Sequence, residues 1–94
     1  MVGYLLRRVL FQQSPHTARV VIYLNDHRPA HVHVVQGGCR AVLILHCPDG
    51  PPELRENIGF SRTEMRHILE ECISRLALFC GEWEKHHGPG RQNS

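Results

Sequence analysis

Lysine is nearly missing from this 94-residue chain: Lys85 stands beside ten arginines among the eleven Lys and Arg residues. Aromatic residues are also scarce, at 6%, with Trp83 the one tryptophan. No run of eighteen apolar residues occurs, which excludes a membrane-spanning helix. The N-terminal stretch carries Arg7 and Arg8 in its middle and no small-residue cleavage site, so it does not read as a signal peptide. The four cysteines, Cys39, Cys47, Cys72 and Cys80, lack the short paired spacing of a zinc ribbon. Without an export signal they are expected as reduced, mostly buried thiols of a cytoplasmic protein. The formal charge of +2 is too small to imply a nucleic-acid partner by itself. The kind of base is more telling, because arginine grips phosphate or carboxylate through two parallel hydrogen bonds. A GC-rich genome produces the same bias, so the arginines permit an anionic partner without requiring one.

What the chain does have is a dense cluster. Residues 25–38 read NDHRPAHVHVVQGG, which sets Asp26, His27, Arg28, His31 and His33 close together before a double glycine. Side chains two apart on a strand share a face. His31 and His33 are therefore expected to point one way, while Val32 and Val34 point the other way into a core.

Around this cluster the chain reads as one domain over residues 1–88, followed by a polar tail over 89–94. Residues 19–24 (RVVIYL) are β-branched and aromatic, residues 31–35 alternate, and residues 39–46 (CRAVLILH) form a nearly continuous apolar run; each predicts a strand. Residues 4–11 fit a strand or a short helix. Residues 47–59, with Pro48, Pro51, Pro52, Gly50 and Gly59, predict a loop holding a brief helical turn over 54–57. Ser61 and Glu64 make a capping box, with Phe60 placed as a staple toward Met65. Apolar residues then recur at steps of three and four from Met65 to Trp83, a helix face extending to about His87. Gly81 is its soft spot, and His86 and His87 suit its C-terminal dipole. The expected class is α+β: a small antiparallel β-sheet of three to four strands packed against one long C-terminal α-helix.

Three chemistries compete for the histidines. His31 and His33 with Asp26, and His46 from a neighbouring strand, can be arranged as a metal site, although no further ligand lies at a diagnostic spacing. Two imidazoles can instead act as acid and base on a phosphodiester without metal or cofactor, with Arg28 or Arg40 stabilising the developing charge. RNA supplies its own nucleophile in the 2′-hydroxyl. The third reading is structural: Asp26 and His27 hold a turn, and the pair on the strand merely faces solvent. Trp83 reads as a core or rim residue.

The runs DHRPAHVHVVQGG and RENIGFSRTEMRHIL, the late Trp83 and the closing HHG resemble a small bacterial family catalogued as a domain of unknown function. Its pattern is roughly D-H-x-P-P-H-x-H-V, a glycine turn, G-[FL]-S and a helix ending near L-x-x-x-W, and it spans residues 19–88; Ala30 departs from the commoner second proline. The resemblance implies Asp26, His27, Pro29, His31 and His33 as signature positions, and Asn57, Gly59 and Phe60 as a second motif where the helix starts. Part of that family is described as toxins of type II toxin–antitoxin systems (DhiT-like), often encoded beside a small partner protein. The resulting expectation is a cytoplasmic toxin that binds or cleaves RNA and is held by a small cognate antitoxin. His31, His33 and His27 would be its catalytic groups, and Asp26, Arg28 and Arg40 its substrate-binding groups. A non-catalytic protein-interaction module and a His-ligated metalloprotein are the alternatives.

Overall fold

A computed structural model describes residues 7–11, 18–23 and 28–87. Asp26, His27 and the expected tail over 89–94 lie outside the described residues. Five strands, β1 (Arg7–Phe11), β2 (Arg19–Tyr23), β3 (His31–Gln36), β4 (Cys39–Ile44) and β5 (Glu53–Ile58), form one sheet in the order β1-β2-β3-β4-β5. Every neighbouring pair is antiparallel, so the sheet is a meander. Two helices follow, α1 (Arg62–Ser74) and α2 (Leu76–His87). The class is α+β, as the hydrophobic periods imply.

Local chemistry explains the elements the sequence announces. In β3 Val32 and Val34 are buried to 0% and 1% exposure, while His31 and His33 are half-buried on the opposite face. Gly37 holds φ +56 in the two-residue β3–β4 turn, between Gln36 and its partner Cys39. Glycine at the first central position is what a type II′ hairpin turn requires. The start of α1 is built from side chains. Asn57 Oδ1 accepts from Phe60 N at 3.1 Å and Asn57 Nδ2 donates to Phe60 O at 3.0 Å. Gly59 bends the chain at φ +94, where a Cβ would lie 2.8 Å from Cys39 Sγ. Ser61 and Glu64 then complete the capping box, each side chain accepting from the other's backbone N–H.

Two expectations fail, both for tertiary reasons. Residues 53–58 are an edge strand, not a loop with a helical turn, which takes the sheet beyond the expected three to four strands. All six of its residues are exposed, so no burial period marks it; backbone pairing with β4 makes the strand. The register slips between β4 and β5 at Arg55, a bulge of the kind that keeps exposed edges from pairing with other chains. The single long helix is also corrected to two. The break falls at Arg75, with φ −116 and ψ 22, not at Gly81, which sits inside α2. The Arg75 N–H is shared between Glu71 O at 3.0 Å and Cys72 O at 3.3 Å, the tightening common at a helix end. No proline or glycine stands at the break. The residues on either side bury against one core: Met65 and Cys72 from α1, Phe79 and Trp83 from α2, all against Ile22, Val32, Val34, Leu43 and Leu45 of the sheet side.

The cysteines are corrected too. Cys47, in the β4–β5 loop, is bonded to Cys80 of α2 across 33 residues, with Cα atoms 5.8 Å apart. Cys39 and Cys72 are free, the first half-buried and the second buried. A separation of 33 residues leaves no spacing motif, which is why the pairing could not be read from the chain. No described helix is long and apolar enough to cross a membrane.

Closing a loop of this length is worth about 3–4 kcal/mol. Reductant is therefore expected to lower the urea midpoint, and an unchanged midpoint would show that the Cys47–Cys80 bond contributes no stability. Burial pushes the Cys72 thiol from 9.0 up to about 12 by desolvation. Between those values the unfolded thiol ionises while the folded one keeps its proton, so unfolding releases a proton and stability falls as pH rises. At neutral pH iodoacetamide is expected to label Cys39 in the native protein and Cys72 only after unfolding, read by peptide mass.

Candidate functional site

The strand registers build the site. On the face opposite Val32 and Val34, β3 presents His31, His33 and Val35 in turn. His31 lies opposite Ile44 of β4, with Glu53 of β5 beyond. His33 stands between Val21 of β2 and Val42 of β4, with Glu56 beyond. Val35 stands between Arg19 and Arg40, with Ile58 beyond Arg40. The face is thus a small grid, imidazoles toward one end and guanidinium groups toward the other.

The two imidazoles are neighbours, with ring centroids 5.2 Å apart and planes at 64°. His33 also meets the ring of Tyr23 edge-on at 4.6 Å. His31 meets Trp83 of α2 at 5.2 Å. Trp83 in turn stacks on His87, with centroids 3.7 Å apart and planes within 10°. Five rings from β2, β3 and α2 therefore form one continuous ladder, Tyr23–His33–His31–Trp83–His87. Trp83 is 1% exposed and touches two imidazoles, so it is a core residue and not a stacking platform.

Hydrogen bonds orient two of these rings, His31 and His87. His31 Nδ1 lies 2.8 Å from Pro29 O, and a carbonyl only accepts. The Nδ1 must carry a proton, which makes Nε2 the basic nitrogen of neutral His31. His87 Nδ1 donates in the same way to Trp83 O at 3.0 Å. Trp83 Nε1 and His87 Nε2 are buried without a hydrogen-bond partner. Arg28 is half-buried and its Nη2 donates to His87 O at 3.4 Å, which sets a cation at the C-terminus of α2 where the helix dipole favours one.

The expected site residues are thus partly assembled. His31 and His33 come together on one face, and Arg28 joins them through α2. Arg40 shares their face but stands one grid row beyond His33. His46 does not join the ladder in this way; its Nε2 lies 2.7 Å from Glu53 Oε1 in an exposed pair. Asp26 and His27 lie outside the described residues. Among the described residues no group of three or more His, Cys, Asp or Glu side chains is placed to hold a metal ion. The sequence reading missed Arg19, Tyr23 and His87. Strand register brings in the first two, and their parity with Val35 and His33 carried the signal only once the pairing was known. His87 was legible only as a helix-end cation.

One family model, described as a domain of unknown function (DUF4160), matches residues 18–84. Comparison with curated proteins and with solved structures gives no match.

Trp83→Ala is expected to cost about 3–5 kcal/mol, the usual loss for a large buried aromatic. Trp83→Phe keeps a flat ring against the two imidazoles and removes the unpaired N–H, so it should cost far less. Denaturant unfolding separates the two, and equal losses would show that ring stacking does not hold α2 to the histidine strand.

Proposed function

Since the chain belongs to the DUF4160 family, whose description carries no activity, we propose from its own geometry that it acts on RNA through His31 and His33. The observation that carries this reading is the imidazole pair, 5.2 Å apart on one half-buried face, with the basic Nε2 of His31 set by its Nδ1 bond to Pro29. A base and an acid at this separation can flank one phosphodiester. His31 Nε2 takes the proton of the 2′-hydroxyl, and O2′ attacks phosphorus. The bond to the 5′-oxygen breaks, and protonated His33 gives that oxygen a proton. The products are a 2′,3′-cyclic phosphate and a free 5′-hydroxyl, and no metal or cofactor takes part. Arg28 supplies positive charge beside the ladder.

In this reading the protein is the toxin of a two-component bacterial module, held inactive by a small cognate antitoxin and working in the cytoplasm, where its RNA is. A reducing cytoplasm opposes the Cys47–Cys80 bond. The reading therefore requires the reduced chain to stay folded and active. The second reading is a non-catalytic interaction module. Its support is β5, an exposed edge carrying Leu54 and Ile58 at 39% and 45% exposure, where a partner strand can add.

The test is cleavage of an unstructured RNA by the purified chain in chelator, with product ends analysed. Removing acid–base catalysis costs about 10²–10⁴ in rate, so His31→Ala and His33→Ala should each lose at least that lower figure. Both variants are also expected to relieve growth arrest in bacterial cells. A folded double variant as toxic as the parent would sink the catalytic assignment. No arrest by the parent, together with a stable complex with the product of the neighbouring gene, would favour the interaction module.

A further inference from the structure

Beyond the imidazoles, the same sheet face holds an open groove of about 420 Å³, lined by Tyr23, Val35, the Gly37–Gly38 turn, Cys39, Arg40 and Ile58. Arg19 stands outside that lining, across Val35 from Arg40. We propose that this groove binds one nucleotide of single-stranded RNA, its phosphate held between Arg19 and Arg40 and its base laid against Tyr23. The inference rests on the RNA reading and names the part of the substrate that lies beside the imidazoles.

Charge comes first. Arg19 and Arg40 both pair across Val35, so two arginines stand on one face, on the strands that flank β3, with backbones about 10 Å apart. Arginine side chains are long enough to converge over Val35. No carboxylate occupies their row, which continues to Ile58; Glu56 and Glu53 stand in the rows beyond, on the edge strand. The Arg40 side chain is exposed, and neither guanidinium forms an ion pair among the described residues. Two guanidinium groups that converge repel each other unless an anion lies between them.

Shape selects a nucleotide over a bare anion. Beside Arg40, Cys39 and the Gly37–Gly38 turn, the lining offers flat or apolar surface from the Tyr23 ring, Val35, and Ile58 at 45% exposure. Bases stack on such rings with little regard to their identity, and a base inside a duplex has no face to offer. Register then links the groove to the chemistry. Val35 and His33 are two residues apart, about 7 Å along the strand. Tyr23 lines the groove and also touches His33 at 4.6 Å. A nucleotide seated here leads its next phosphodiester toward the imidazole pair.

Anisotropy of a labelled short oligouridylate, with the full chain in excess, tests this. Arg19→Gln and Arg40→Gln are each expected to weaken binding and to flatten the slope of log affinity against log salt by about 0.7, one phosphate contact on a single strand. Tyr23→Leu should lower affinity about tenfold and leave that slope unchanged, as loss of one stacked base does. Thermal melting checks that each variant folds, and the exposed arginine carries the test if Tyr23→Leu does not. Uridine monophosphate should compete better than inorganic phosphate, and the duplex form should bind more weakly than the single strand. Parental affinity and slope in both arginine variants would overturn the proposal. So would equal competition by inorganic phosphate, or variants that lose only a co-purifying protein partner. Cleavage is scored separately: variants that bind normally while the parent still cleaves sink the groove alone, whereas parental binding without cleavage sinks the reaction and leaves the groove.

Discussion

The burial of Val32 and Val34 against the helices is the constraint on which everything functional in this molecule depends. A strand has two faces and a period of two, so committing the valines to the core commits His31 and His33 to the other side. A slip of one residue would bury two imidazoles and expose two valines, which costs both the desolvation of the rings and the loss of apolar burial. Both valines are essentially inaccessible, so this penalty is close to its full size and the register is firmly held. The imidazoles are side by side because the core will have it no other way.

The helices do more than cover the sheet. Trp83 reaches from α2 to the His31 ring, and His87 stacks on the same indole. Arg28, just before β3, bonds back to the last carbonyl of α2. The start of the histidine strand is thereby clasped by the end of α2, through ring contacts and one charge-assisted hydrogen bond. The Cys47–Cys80 bond anchors α2 to the loop after β4 near its middle. A half-buried imidazole whose neighbours are rigid loses little freedom on meeting a substrate, which is what preorganised catalysis requires.

Across the opposite face a different economy applies. Edge strand β5 is wholly exposed and rich in charge, and its bulge at Arg55 interrupts the ladder. The side chains it presents are the glutamates that flank the histidine rows and the isoleucine beside Arg40. Acidic groups at the edge and arginines at the turn end give the face a polarity along β3. That polarity, more than the net charge of +2, describes how an extended anion would be oriented on it.

How much of this was written in the chain differs from element to element. The alternation in β3, the β-branched run of β2, the Gly37–Gly38 turn and the Ser61–Glu64 capping box are local signals, and each determined its element without help. The shared face of His31 and His33 follows from the same period-two rule. Strand β5 was invisible because its residues show no burial pattern and exist as a strand only by pairing with β4. The helix break at Arg75 and the bond between Cys47 and Cys80 were invisible because each joins parts of the chain that meet only after folding. The same holds for the placement of Arg19 beside Arg40 and of Trp83 against His31. By itself, then, the amino-acid order determined which side chains each strand or helix turns inward. Which of the outward ones become neighbours was decided by tertiary structure, because strand register and helix docking set distances between residues that no local period connects.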